Sequence, residues 1–143
     1  MKIFLDANIL FSGAQLGSPV RKLLDIMESH GVLTTHPGVL EEARRNLAAK
    51  RPSWMEGFES LCKKCEISSR IGVCPPESLL PAKDQPVLAA ALGCGADILV
   101  TGDRRHFGHL FGSKIVETKI CSVRQLAEEM TARGWLGKKF TPP

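Results

Sequence analysis

The sequence contains no tyrosine, and six phenylalanines with two tryptophans bring aromatics to only 6% of its 143 residues. A sheet that reads nucleic acid by stacking bases needs exposed aromatic rings, so this scarcity argues against an RRM-like platform. No apolar run approaches the ~20 residues that cross a bilayer, so no membrane is expected as a partner. The opening Met1-Lys2-Ile3-Phe4-Leu5-Asp6 places an acid where a signal peptide would continue its apolar region, which argues against secretion. Five cysteines are an odd number without disulfide-dense spacing, as expected of a cytoplasmic chain in a reducing environment. Cys62-Lys63-Lys64-Cys65 has CxxC spacing, but no second such pair accompanies it, which argues against structural zinc.

What is present is near the globular average, with 43% hydrophobic and 24% charged residues. A chain of this length buries roughly two-thirds of its unfolded surface, enough for one domain. We place that domain at residues 1–134, followed by a polar tail at 135–143. The net charge of +4 suits a polyanionic partner, although ordinary solubility charge explains it equally well.

Short apolar runs alternate with helical patterns along the chain. Ile3-Phe4-Leu5 reads as a buried strand. Ser18 as N-cap and Pro19 at the first helical position open a helix bounded by Gly31, with Val20, Leu23, Leu24 and Met27 on its apolar face. Val32-Leu33-Thr34 reads as a second strand, 37–50 and 52–64 as helices, and 66–69 as a strand. The Pro75-Pro76 region is a loop, 84–92 a helix, 97–101 the clearest strand, Ile115-Val116 another strand, and 123–133 a final helix. This alternation predicts a mostly parallel sheet flanked by helices, which binds ligands beyond the carboxyl ends of its strands.

Acids fall at informative places on that plan. Asp6 directly follows the first strand, and Asp103 follows the 97–101 strand through Gly102. A turn aspartate explains either one alone; two at equivalent strand ends suggest a shared site. Asp84 opens a helix on the face of Val87 and Ala91, where a carboxylate either caps the helix or meets a cation. Glu42 borders the apolar face formed by Val39, Leu40, Ala43 and Leu47, whereas Glu41 points further towards solvent. Carboxylates brought together repel and protonate unless a cation joins them, and an all-oxygen set suits Mg²⁺ or Mn²⁺. Such metals activate water for phosphodiester cleavage.

Phe4-Leu5-Asp6-Ala7-Asn8, Val39-Leu40-Glu41-Glu42-Ala43, Asp84-Gln85-Pro86-Val87-Leu88 and Leu99-Val100-Thr101-Gly102-Asp103 together resemble, in order and separation, the motifs of a PIN domain. The resemblance extends from Met1 to about Met130. It implies a three-layer α/β/α fold around a mostly parallel sheet. It also implies a Mg²⁺- or Mn²⁺-dependent endoribonuclease using a metal-activated water, like the VapC toxins of type II toxin–antitoxin pairs. Asp6, Glu42, Asp84 and Asp103 then match the metal-holding catalytic acids, and Asn8 and Thr101 the supporting polar positions. RNA is the implied substrate, with an antitoxin protein and a second copy of the chain as implied partners.

Many members carry another acid or polar ligand shortly after the fourth aspartate, where this chain has Arg104-Arg105-His106-Phe107. His106 is a weaker partner for Mg²⁺ than an acid, though tolerable for Mn²⁺ or as a water-mediated contact. Lys83, Arg104 and Arg105 adjoin the acids in sequence and are candidates, with His106, for substrate contact. Two other classes stay open on sequence grounds. One is an inactive PIN-like module that binds RNA or protein. The other is a dehalogenase-like phosphatase, which also opens with a strand and an aspartate but needs a second acid where Asn8 stands.

Overall fold

A computed structural model describes residues 1–137. Six strands form one sheet in the order β3-β2-β1-β4-β6-β5: β1 (Lys2–Leu5), β2 (Val32–Thr35), β3 (Cys65–Ile67), β4 (Ile98–Val100), β5 (Lys114–Ile115) and β6 (Thr118–Cys121). All neighbours are parallel except the β5–β6 hairpin. The central strands are buried on both faces, which is why β1 and β4 are continuous apolar runs rather than alternating ones. The helices are α1 (Ala7–Gly13), α2 (Pro19–Glu28), α3 (Pro37–Lys50), α4 (Met55–Lys63), α5 (Gln85–Gly93), α6 (Arg104–Phe107) and α7 (Val123–Ala132). The expected α/β architecture with a mostly parallel central sheet is the one found.

One core joins sheet and helices. Ile3, Phe4, Leu5, Leu33, Leu99, Val100 and Ile120 from the strands meet Leu10, Leu24, Leu47, Leu61, Leu88 and Leu126 from the helices. On α2, Ser18 caps by accepting from Arg21 N, and Leu23, Leu24 and Met27 are buried as the periodicity predicts. Gly57 is dictated by packing. A Cβ there would lie 2.0 Å from the Ala14 carbonyl oxygen, so only glycine lets α4 lie against the end of α1.

Several local expectations are corrected. Pro52–Trp54 is a separate 3-10 turn before α4 rather than its first turn, because Trp54 leaves helical geometry. The strand expected at Ile115-Val116 is only the edge β5, and Val116 occupies the tight hairpin turn with φ 55°. Beside it lies β6, which no apolar pattern announces. Thr118 enters the interior by donating its hydroxyl to the Ala96 carbonyl at 2.7 Å. Helices α1 and α6 are also additional to the sequence reading. Of the proposed polar tail, Trp135 and Leu136 pack against the core, with Trp135 stacked on His30 at 4.7 Å; residues 138–143 lie outside the described residues. Among the described residues no helix is long and apolar enough to cross a membrane.

Candidate metal centre

The sheet's order places the site. From β1 the chain fills one side with β2 and β3, then crosses to the other side with β4, so the switch point lies between β1 and β4. Register pairs Leu5 with Val100, and the next residue on each strand is therefore Asp6 beside Thr101. Asp6 N donates to Val100 O at 3.1 Å, which fixes the turn out of β1.

Asp6 is 6% exposed and both its oxygens are engaged. Oδ1 accepts from Ala7 N at 2.7 Å, making Asp6 the N-cap of α1. Oδ2 accepts from the Thr101 hydroxyl at 2.8 Å and from Asn8 Nδ2 at 3.3 Å. Asn8 Oδ1 accepts from Gly102 N at 2.8 Å, and Thr101 Oγ1 accepts from Asp103 N at 3.2 Å. Asn8 and Thr101 thus tie the two strand ends together. Burial pushes the Asp6 carboxyl above its ordinary value, against the hydrogen bonds from Thr101 and Ala7; the charges of Glu42 and Asp84 push the same way as burial.

Asp103 caps α6 by accepting from His106 N at 3.1 Å. Its Oδ2 also meets His106 Nδ1 at 2.9 Å. Burial alone would raise the Asp103 carboxyl, but these bonds and the nearby charges of His106 and Lys83 hold it below the ordinary value. Asp84 sits at the capping position of α5 yet makes no side-chain capping bond. The capping explanation for Asp84 is therefore set aside. Its Oδ2 is buried without a hydrogen-bond partner, although His106 Nδ1 lies 3.2 Å away. A ring nitrogen carries at most one hydrogen, and the geometry directs it to Asp103.

Asp6, Glu42, Asp84 and Asp103 all line one cleft of about 680 Å³, together with Asn8 and Lys83. A buried carboxylate oxygen without a donor, on a cleft lined by four carboxylates, fits a hard dication. Thr101 is buried beneath the cleft, where it holds Asp6. Arg104 lines a different cavity with Ser122 and Arg124, and Arg105 is exposed to solvent. Neither is among the residues lining the acidic cleft.

The far wall holds residues that sequence reading missed: Phe11, Asn46, Lys50, Arg51 and Trp54. Asn46 and Lys50 follow Glu42 at helical four-residue steps on α3, so the face was available in the sequence once Glu42 was chosen. Trp54 meets Phe11 edge-on at 5.7 Å, and the Arg51 guanidinium lies 5.6 Å from its ring centroid. Elsewhere, all five cysteines are free, and burial first of all pushes Cys62 and Cys65 up to about 11 and about 12. Among the described residues the single group with metal-ligand spacing is Asp84, Asp103 and His106; Asp6 and Glu42 line the same cleft outside that group, and the CxxC pair forms none.

No protein-family model matches the chain, and no curated protein does. Solved structures do. A VapBC2 structure from Rickettsia felis, bound to a DNA fragment from their promoter, is similar at a TM-score of 0.63 and 15% identity, covering 85% of this chain and 98% of that one. PAE2754 from Pyrobaculum aerophilum is similar at a TM-score of 0.60 and 18% identity, covering 92% and 96%. The chain has a PIN-domain fold. At these identities the likeness establishes architecture, and the chemistry of this PIN-domain cleft rests on its own residues.

Proposed function

We propose that this PIN-fold chain is a divalent-metal-dependent endoribonuclease and serves as the toxin of a toxin–antitoxin pair. The observation that carries the reading is that Asp6, Glu42, Asp84 and Asp103 line one cleft, with Asp84 Oδ2 buried and undonated. These four carboxylates would hold Mg²⁺ or Mn²⁺. A dication held there supplies Lewis acidity, lowering the pKa of water and offsetting charge on the leaving oxygen.

The chain's own residues do the rest. Asn8 and Thr101 hold Asp6 in one orientation, and with Ala7 N on Oδ1 a single lone pair, on that oxygen, is left for a cation. Lys83 beside the acids and Lys50 and Arg51 on the far wall receive the phosphates of an RNA strand. Trp54 and Phe11 give an unpaired base an apolar surface. A duplex keeps its bases stacked inside, so this wall favours single-stranded RNA. Asp6 itself is a poor nucleophile, because it is buried and both its oxygens accept hydrogen bonds. That separates the site from aspartyl-phosphate chemistry.

The similarity to a VapBC2 complex supports a protein antitoxin as partner, and the family resemblance supports a homodimer. The test is an assay on single-stranded and structured RNA with Mn²⁺. Wild type is expected to cleave the single strand preferentially, and Asp6→Asn and Asp103→Asn to lose cleavage. Unchanged cleavage in both variants would refute this site, and no cleavage by any form would leave a binding module.

A further inference from the structure

His106 stands in the cluster but is not one of the four acids. Phe107, fully buried, anchors the short helix that carries it, and the His106 side chain is only 20% exposed. Its Nδ1 lies 2.9 Å from Asp103 Oδ2 and 3.2 Å from Asp84 Oδ2. One ligand atom from each of the three residues lies within 4.8 Å of the others.

Hydrogen bonding alone does not satisfy this arrangement. Nδ1 has one hydrogen at most, directed to Asp103, and the second carboxylate oxygen stays buried without a donor. A shared cation satisfies all three atoms together. Neighbouring ligands of an octahedral ion with bonds of roughly 2.1 Å stand about 3 Å apart, which is the spacing found on both sides of Nδ1. With the ring hydrogen on Nε2, Nδ1 offers its lone pair beside the two carboxylates.

We propose that His106 Nδ1 is a metal ligand together with Asp84 and Asp103, and that this nitrogen makes the site favour Mn²⁺ over Mg²⁺. The proposal rests on the metal-dependent reading above only for the presence of a dication. Mg²⁺ prefers oxygen donors and retains its waters, whereas first-row transition dications accept imidazole. An acid at this position would favour Mg²⁺; the histidine shifts the preference. The competing role for His106 is an imidazolium that occupies the cation's place, with Lys83 as a second positive group facing Asp103. The two roles differ in sign: removing a ligand weakens metal binding, whereas removing a competing cation tightens it.

The experiment uses the full chain without RNA. Mn²⁺ affinity is measured by titration, and pulsed EPR of bound Mn²⁺ reads directly coordinated nitrogen in wild type, with and without isotopic labelling of histidine. His106→Ala and His106→Asn identify which of the four histidines gives the signal. The expected result is a histidine nitrogen signal in wild type that both variants lose. Mn²⁺ affinity should fall by roughly tenfold or more, since even an outer partner of a ligand costs that much. In His106→Asp, Mg²⁺ affinity should rise relative to Mn²⁺. Bound Mn²⁺ without a nitrogen signal, or tighter Mn²⁺ binding by His106→Ala, overturns the proposal and leaves the nuclease reading standing. A nitrogen signal in a protein that cleaves no RNA supports this proposal and removes the nuclease reading. Absence of bound Mn²⁺ overturns both. The wild-type spectrum needs no variant, so a misfolded substitution does not decide the outcome.

Discussion

The Thr101 hydroxyl donates to Asp6 Oδ2 at 2.8 Å across the carboxyl ends of two neighbouring parallel strands. The same hydroxyl oxygen accepts from Asp103 N at 3.2 Å and from Asn8 Nδ2 at 3.3 Å. One buried threonine thus sets the positions of two acids that are 97 residues apart in sequence.

Thr101→Val keeps the shape and removes these bonds. Leaving buried polar groups without partners costs about 1–3 kcal/mol, to be read as a lower urea midpoint. Asp6 also loses a bond that lowers its pKa, so the acidic limb of the activity profile should move to higher pH. Thr101→Ser should retain most of both properties.

Asp6 and Asp103 should respond oppositely to neutralisation in metal-free protein. Burial raises the folded-state pKa of Asp6, so stability falls as pH rises from its unfolded value through the raised folded value, and stays lower above it. In EDTA the wild-type melting temperature should therefore carry a fall between acidic and neutral pH that is lost in Asp6→Asn, whose side chain does not titrate. Asp103 has a lowered folded pKa despite burial, through its bonds and charges from His106 and Lys83. Its contribution is present above the unfolded value and is lost as pH falls through the folded value, so Asp103→Asn should lower the neutral-pH melting temperature. Melting curves against pH check both signs.

The far wall should act on substrate binding. Lys50→Glu with Arg51→Glu should raise KM for single-stranded RNA by roughly tenfold while kcat changes less, as expected where phosphate contacts hold ground and transition states alike. Trp54→Leu should lose stacking of about 1–3 kcal/mol per base. Steady-state kinetics on a short oligonucleotide separate the two parameters.

Gly57→Ala tests the apposition that brings Trp54 towards Phe11. The added methyl meets the Ala14 carbonyl, which is backbone and cannot swing aside. A loss of about 1–3 kcal/mol is expected for such overpacking, measured by urea unfolding.

The strand-end acids were legible because β1 and β4 are buried on both faces and their apolar runs stop abruptly at the edge where ligands bind. Glu42 was legible from its helical phase. Strand β6 was not, because Thr118 and Lys119 break its apolar pattern and only a tertiary bond to Ala96 makes Thr118 compatible with burial. Helix α1 was hidden by Asn8, Ser12 and Gly13, weak helix formers that hold the segment for packing and site geometry. The aromatic and cationic wall was missed because Trp54 reaches the cleft through a 3-10 turn that interrupts the helical pattern. His106 follows Asp103 by three residues in sequence, but only the fold brings Asp84, from the start of α5, to its ring.

Metal dependence is tested by cleavage of a single-stranded RNA by purified wild-type chain, stripped with EDTA and then titrated with Mn²⁺. No cleavage is expected after stripping, with full recovery as Mn²⁺ is restored and Asp84→Asn failing to recover. Cleavage that persists in EDTA, or an Asp84→Asn variant that recovers as wild type does, would rule out a metal held by these acids.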